Sequence, residues 1–200
     1  MTTFTVSDQT PAFKLAPFNP SSPEIQQKAL ELLKLTRDDV LFDLGCGDGR
    51  LLITAAQRVP GLRCVGIDID PVFVKRGQAS VHELLDASVK QRLDIRLGDA
   101  LQLSMDTSSD LSRSIADVSE ITLMDDATAL YLFVLPKGVE KLMPLLRALL
   151  ATRQKEGRSF RILSYMFQIH MWEPTAVDKT AKAGCPIYLY EFPVIETNKD

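Results

Sequence analysis

Short apolar runs alternate with amphipathic stretches along most of the chain, and this alternation predicts strands that alternate with helices. The apolar runs are nearly unbroken, as expected of strands that are buried on both faces of a parallel sheet. The predicted strands are VLFDLG (40–45), LRCVGIDID (62–70), LDIRLGDA (93–100), ATALYLFVL (127–135) and SFRILSYMF (159–167). Strands separated by helices in this way predict an α/β fold.

The stretches between these runs have the apolar periodicity and the end signals of helices. Ser21 or Ser22 is expected to cap the first helix, Asp70 caps the one that starts at Pro71, and Pro144 can kink the longest. The predicted helices are SSPEIQQKALELLKL (21–35), GRLLITAAQRV (49–59), VFVKRGQASVHELLDAS (72–88) and PKGVEKLMPLLRALLATRQKEG (136–157).

Two regions lack this simple alternation. Residues 102–125 are rich in serine and aspartate and are predicted to form a loop with one short helix. The tail, residues 170–194, has two alternating arms around turn-like residues, which predicts an antiparallel hairpin. We therefore predict a Rossmann-like, mostly parallel sheet with helices on both faces and an antiparallel C-terminal strand. Residues 18–200 are expected to form one domain, preceded by a segment, residues 1–17, that can be flexible.

Composition narrows the class of protein. Of the 200 residues, 46% are hydrophobic, enough for one domain with a sizeable core, and no apolar run is long enough to cross a membrane. Three scattered cysteines predict a reducing compartment and no metal site, and no secretory signal is visible. A net charge of -3 argues against a broad nucleic-acid surface. We expect a cytoplasmic protein, with nuclear and mitochondrial locations left open.

The turn after the first strand carries the most informative pattern. Gly45, Gly47 and Gly49 stand at alternate positions, so a ligand can approach the backbone with no Cβ in the way. This spacing differs from the G-x-G-x-x-G of dinucleotide sites. Asp43 and Asp48 would repel a pyrophosphate and attract a cation. The pattern predicts a ligand with an amino group near Asp43, although a helix N-cap is the alternative role for this residue.

Acidic residues also end the second and third predicted strands. Asp68 lies about 20 residues after the first glycine, where a carboxylate commonly accepts hydrogen bonds from ribose hydroxyls. Asp99 is placed to accept a hydrogen bond from an exocyclic amine such as that of adenine. Adenosine joined to a cationic amino acid, with no phosphate, describes S-adenosylmethionine, and we predict this cofactor. Cys46, inside the turn, is expected to pack there and not to act as a nucleophile.

The motifs DLGCGDGR, GIDID and GDA resemble the cofactor motifs of class I S-adenosylmethionine-dependent methyltransferases. More narrowly, FNPSSPEI, LYLFVLPKG and SYMF…WEP…IYLYEF resemble small methyltransferases related to the mitochondrial lysine methyltransferases of the adenine nucleotide translocase and the ATP synthase c subunit. The resemblance implies a seven-stranded sheet, an antiparallel last strand and a protein lysine as acceptor. It also implies cofactor contacts from Phe18, Ser21, Gly45, Cys46, Gly47, Ile69 and Ala100. An ordinary turn and helix cap is the alternative for Phe18 and Ser21.

Methyl transfer from a sulfonium is an in-line displacement, so the protein mainly aligns donor and acceptor and excludes water. No nucleophile, metal or acid–base pair is required, and we assign no catalytic residue. A lysine acceptor must be neutral, and an apolar aromatic pocket lowers its pKa by disfavouring the ammonium form. The candidates for such a pocket are Tyr131, Phe133 and Trp172, with packing in the core as the alternative for each.

The leading hypothesis is a protein-lysine methyltransferase whose partner is a protein substrate. A small-molecule methyltransferase and a non-catalytic scaffold that binds the adenosyl cofactor are the alternatives. An NAD-dependent oxidoreductase is disfavoured by the glycine spacing. The fourth strand ends in FVLPKG and lacks the Asn/Asp-Pro-Pro-aromatic sequence typical of enzymes that methylate amide or adenine nitrogens. No oligomeric state is predicted.

Overall fold

The computed structural model of the chain describes residues 13–103, 105, 117–181 and 184–194. Its strands are β1 (Val40–Leu44), β2 (Arg63–Asp68), β3 (Leu93–Leu97), β4 (Ala129–Leu132), β5 (Phe160–Tyr165), β6 (Ala176–Asp178) and β7 (Ile187–Phe192). They form one sheet in the order β3-β2-β1-β4-β5-β7-β6. The pairs from β3 to β5 are parallel, and β7 runs antiparallel to β5 and β6. The predicted Rossmann-like sheet and its C-terminal hairpin are confirmed.

The helices cover both faces of this sheet and begin where the sequence provides caps. Ser22, and not Ser21, caps the first helix by accepting a hydrogen bond from the Ile25 N–H at 3.4 Å. Asp70 caps α3 through the Val72 N–H at 3.0 Å, as predicted. The described helices are α1 (Pro23–Leu33), α2 (Arg50–Arg58), α3 (Pro71–Glu83), α4 (Ala87–Lys90), α5 (Leu123–Asp126) and α6 (Pro136–Lys155).

One predicted helix is divided in the structure. The single helix expected over residues 72–88 is divided into α3 and α4, because the backbone of Leu84 is extended and Asp86 starts a new helix by accepting from the Ser88 N–H at 2.8 Å. The longest helix, α6, continues through Pro144. Within the described residues, no helix has the length and apolar character that a membrane span needs.

Alternation along the strands sends side chains to two separate cores. On β1, Phe42 and Leu44 belong to the core under α6, whereas Leu41 belongs to the core under α1 and α2. Because successive side chains point to opposite faces, Asp43 lies on the same face as Leu41. All of β1 is buried, which explains its nearly continuous apolar sequence and leaves Asp43 as its charged member.

Two arginines fix the chain that precedes β4. Arg96 of β3 donates a hydrogen bond to the Val118 carbonyl at 2.9 Å, and Arg153 of α6 donates one to the Met124 carbonyl at 2.8 Å. These bonds hold a 3-10 turn and the short helix α5, so the part of the predicted loop that is described does contain short helical elements. Residues 104 and 106–116 of that predicted loop lie outside the described residues.

Candidate functional site

A cleft of about 930 Å³, measured out to its open mouth, lies at the carboxyl ends of β1 to β4. The strand order reverses between β1 and β4, and ligands of open α/β sheets bind at such a reversal. The cleft brings together every residue that the sequence predicted to contact a cofactor, and these are Phe18, Ser21, Asp43, Gly45, Cys46, Gly47, Asp68, Ile69, Asp99 and Ala100. Tyr131 and Phe133 line the same cleft.

The glycine turn forms the floor of the cleft. Gly45, Gly47 and Gly49 have φ angles of 87°, 56° and 69°, in the left-handed region that favours glycine. The Gly45 N–H donates a hydrogen bond to the Ile67 carbonyl at 2.8 Å, which ties the turn to β2. A Cβ on Gly47 would lie 2.7 Å from a ring carbon of Phe18. Glycine here therefore serves both the turn conformation and the close approach of an aromatic ring.

Asp43 places a buried carboxylate at the floor of this cleft. It is 4% exposed, and no described residue donates a hydrogen bond to it. Burial, with a smaller contribution from the negative charge of Asp68, raises the pKa of Asp43 well above its usual range. The alternative role as a helix cap does not hold, because Gly49 is the residue at the start of α2. Asp43 is suited to a cationic group that a ligand brings.

Asp48, in the same turn, has a different environment. Its two carboxylate oxygens accept hydrogen bonds from Nε and a terminal nitrogen of Arg50 at 2.9 and 2.6 Å. These hydrogen bonds lower the pKa of Asp48. The charge of Asp48 is thus balanced inside the turn. The sequence grouped Asp43 and Asp48 as attractors of a cation, and the structure leaves that role to Asp43.

Asp68 and Asp99 also reach the cleft, and both carboxylates hold backbone N–H groups. Asp68 accepts hydrogen bonds from the N–H groups of Gly47 at 2.7 Å and Asp70 at 2.9 Å. Asp99 accepts one from the Leu101 N–H at 2.9 Å and so caps a short 3-10 turn. A carboxylate has further lone pairs, so these bonds leave room for ligand donors. The contacts with ribose and adenine stay predictions.

Residues 13–21, which we call the N-terminal strap, cross over the cleft. Lys14 forms an ion pair with Asp70 at 3.0 Å. The ring of Phe18 stacks on that of Phe73 with centroids 4.0 Å apart and planes 14° apart. Sequence reasoning did not assign residues 13–17 to the site, although the apolar residues and the proline of FKLAPF suggest a packed segment. Residues 1–12 lie outside the described residues.

Aromatic side chains line the cleft at the end of β4. Tyr131 is 2% exposed, and its hydroxyl lies 2.8 Å from the Ser21 hydroxyl. Burial raises the pKa of Tyr131, so the phenol keeps its proton at neutral pH. Phe133 follows the strand, and the centroid of its ring lies 4.6 Å from that of Tyr165. Beside the glycine turn, the cleft therefore has a wall that is largely apolar.

Trp172 and Cys46, which the sequence also singled out, are not part of this apolar wall. Trp172 does not line the cleft, because its ring packs edge-on against Tyr190 at 6.3 Å and Phe192 at 5.2 Å. This position agrees with the core-packing alternative. Cys46 lines the cleft but is buried, and its Sγ would lie 2.7 Å from a Cβ on Gly66. Burial raises the pKa of the Cys46 thiol, which keeps it in the weakly nucleophilic protonated form.

These residues fit an adenosyl amino acid. The buried Asp43 carboxylate matches an ammonium group, and the glycine floor allows close contact with a ligand chain. Asp68 can accept further hydrogen bonds from hydroxyl groups. A pyrophosphate would have to lie beside the unpaired Asp43 carboxylate, so a dinucleotide fits poorly.

Comparisons with known proteins identify the chain as similar to methyltransferases. The family described as a methyltransferase domain matches residues 41–131. A protein-lysine N-methyltransferase from Saccharolobus islandicus (strain REY15A) is 30% identical over 176 residues, which are 87% of this chain and 92% of that protein.

Solved structures are also similar to this chain. An RNA methyltransferase from Salinibacter ruber, in complex with S-adenosyl-L-homocysteine, is 29% identical with a TM-score of 0.63, over 91% of this chain and 99% of the other. A methyltransferase from Geobacter sulfurreducens, bound to the same molecule, is 23% identical with a TM-score of 0.51, over 75% of this chain and 51% of the other. This last likeness shows the fold alone.

Proposed function

The chain belongs to the class I S-adenosylmethionine-dependent methyltransferases, and we propose that it methylates the side-chain amine of a protein lysine. The observation that carries the lysine assignment is the 30% identity along 92% of the Saccharolobus protein-lysine N-methyltransferase. The aromatic wall at the end of β4 supports it, because an apolar surface next to the cofactor floor suits an amine that must lose its proton.

The residues of the cleft divide into two groups with different tasks. S-adenosylmethionine, when bound, supplies a methyl group on a sulfonium that is already a good leaving group. On the cofactor side, Asp43 provides the negative charge for the amino group, and the N-terminal strap keeps water from the floor. On the acceptor side, Phe133, which packs against Tyr165, provides apolar area that disfavours the ammonium form of lysine. Alignment of donor and acceptor then accounts for most of the rate enhancement.

A second candidate acceptor is RNA, because the similar Salinibacter protein is described as an RNA methyltransferase. The charges of this chain favour the lysine proposal. The net charge is -3, and Lys14 and Arg50, the two basic side chains among the described residues that line the cleft, are each paired with a carboxylate. Contacts between cationic side chains and phosphates supply much of the affinity for nucleic acid, and this cleft offers few of them.

The test is transfer of a radiolabelled methyl group from S-adenosylmethionine into an extract of the organism that encodes the chain. We expect label in a protein band that protease removes and ribonuclease does not, and methyllysine after acid hydrolysis. The Asp43→Asn variant is the matched control, because it keeps the shape of the side chain and loses the charge.

The other outcomes separate the alternatives. Label that ribonuclease removes would replace the lysine proposal with the RNA acceptor. Label that stays in the acid-soluble fraction would indicate a small-molecule acceptor. Binding of S-adenosylhomocysteine without transfer to any fraction would favour the non-catalytic scaffold.

A further inference from the structure

A pair of buried hydroxyl groups lies at the floor of the cleft. Ser21 Oγ and Tyr131 Oη are 2.8 Å apart, and the residues are 8% and 2% exposed. Ser21 belongs to the N-terminal strap and Tyr131 to β4, so the pair joins segments 110 positions apart in sequence. Both residues line the cleft.

Neither hydroxyl is needed to cap α1 or to pair β4 with its neighbour. Ser22 caps α1, so the Ser21 hydroxyl has no capping role. Tyr131 stands in register with Leu163 on the neighbouring strand, where packing alone would accept phenylalanine. A hydroxyl buried for packing alone costs free energy. The pair contains two hydroxyl protons and uses one between its members, so one donor is left for another acceptor within the described site.

The position of Asp43 indicates what that acceptor is. Asp43 and Tyr131 are paired across β1 and β4 and therefore lie side by side on one face of the sheet. Asp43 carries the charge that suits the α-amino group of the cofactor. In an amino acid the α-carboxylate is attached to the same carbon as that amino group, so it must lie close to Asp43 and needs donors of its own.

Several other donors near this position are already engaged. The basic side chains among the described cleft-lining residues are Lys14, paired with Asp70, and Arg50, paired with Asp48. The turn N–H groups are engaged too, since those of Gly45 and Cys46 donate to the Ile67 carbonyl and that of Gly47 donates to Asp68. The hydroxyl pair lies beside Asp43 and still has one proton to donate.

We infer that the Ser21–Tyr131 hydroxyl pair binds the α-carboxylate of the cofactor. Tyr131 then contacts the cofactor and not the methyl acceptor. The inference rests on the cofactor and is independent of whether the acceptor is lysine. It changes the sequence-based assignment of Tyr131 from a wall of the acceptor pocket to a binding residue. Phe133, whose ring packs against Tyr165, then forms the acceptor side of the cleft.

The test measures binding by calorimetry with two probes: S-adenosylhomocysteine and the analogue in which hydrogen replaces its α-carboxylate. The Tyr131→Phe variant is expected to bind S-adenosylhomocysteine about tenfold more weakly, because one hydrogen bond to a charged group is lost. Its affinity for the analogue should stay within about twofold of the unmodified protein. Ser21→Ala should show the same selective loss with a smaller change of packing. No methyl acceptor is present, so the result does not depend on the proposed function.

Two results would overturn the inference. An equal loss of affinity for both probes would mean that the pair only anchors the N-terminal strap. Unchanged affinity for S-adenosylhomocysteine, with slower methyl transfer, would return Tyr131 to the acceptor side. Asp43→Asn is the control for the neighbouring contact, and it should weaken both probes because both keep the amino group. Urea unfolding of each variant checks that the fold is intact.

Discussion

Asp39 and Asp43 lie at the two ends of β1, both are buried, and their surroundings are opposite. Asp39, just before the strand, accepts hydrogen bonds from the Thr36 N–H at 2.7 Å and the Thr128 hydroxyl at 2.6 Å, and it forms an ion pair with Arg161. Asp43, near the carboxyl end, is 4% exposed against 6% for Asp39, yet no described residue donates to it. The two carboxylates are therefore equally buried, and they differ in their hydrogen-bond partners.

The difference shows how one strand serves both stability and binding. A buried carboxylate is costly unless it is paired and hydrogen-bonded. At the amino end the chain supplies the partners of Asp39, and the result is a structural link between β1, β4 and β5. At the carboxyl end no described residue gives Asp43 such a partner, and burial raises the pKa of its carboxyl. We propose that the counter-charge of Asp43 comes with the ligand, as expected of a binding residue.

The largest effect should come from removing the charge of the structural carboxylate. Asp39→Asn is expected to lower the free energy of unfolding by about 3 kcal/mol, because Arg161 loses the negative charge of its buried ion-pair partner. Arg161 keeps hydrogen bonds to the Leu33 and Lys34 carbonyls, which places the loss at the lower end of such changes. Urea denaturation gives the free energy. The folded variant should still bind S-adenosylhomocysteine, and a loss of binding without a loss of stability would contradict the comparison.

The reverse pattern is expected at the other end of the strand. Asp43→Asn should weaken S-adenosylhomocysteine binding about 10- to 100-fold, because a charge-assisted hydrogen bond is worth about 1.5–3 kcal/mol. The same variant should unfold at a higher urea concentration than the unmodified protein at pH 7. A group whose pKa is raised by folding costs stability as pH rises through that pKa, and asparagine avoids this cost. Lower stability together with intact binding would refute the assignment of Asp43.

Lowering the pH should test the role of Asp43 in binding without a mutation. Protonation of Asp43 removes the charge that the ligand amino group needs, so affinity for S-adenosylhomocysteine should fall as pH drops through the raised pKa of Asp43. In that range, binding of the cationic group returns Asp43 to its ionised form and releases a proton. Calorimetry in buffers of different ionisation enthalpy measures this proton. The Asp43→Asn variant should show neither the pH slope nor the proton release.

Much of the fold could be predicted because its signals are local. The continuous apolar run of β1, the Asp70–Pro71 cap of α3 and the alternating arms of the hairpin each depend on neighbours in sequence. The division of the helix predicted over residues 72–88 was missed because Asp86 competes as a second cap inside a periodic stretch. The arginine contacts that hold α5 join residues far apart, and no local pattern shows them.

The cleft-lining residues could be predicted where a strand ends in glycine or an acidic residue. The role of a residue was harder to predict where it depends on a hydrogen-bond or packing partner. Asp43 and Asp48 looked alike in sequence, and only the neighbouring Arg50 distinguishes them. The sequence left open whether Ser21 or Ser22 caps α1, because the choice depends on the distant Tyr131 hydroxyl, which bonds to that of Ser21. Trp172 lies in the connection after a strand, which favoured a pocket role, whereas its ring packs against the C-terminal hairpin.

The smallest effect is expected from Asp48, the carboxylate whose charge the turn already balances. Asp48→Asn should weaken S-adenosylhomocysteine binding by less than about fivefold, because a partly exposed ion pair contributes little. The change releases the Arg50 guanidinium beside a site that binds a cation, so the weakening should be largest at low salt and fade as ionic strength rises.

Binding of the Asp43→Asn variant should respond much less to salt, because that carboxylate is buried. A titration of both variants at low and high salt therefore gives the sharpest form of the comparison. Equal losses with equal salt dependence would mean that the turn acts as one acidic patch, and that the separate environment of Asp43 has no consequence for binding.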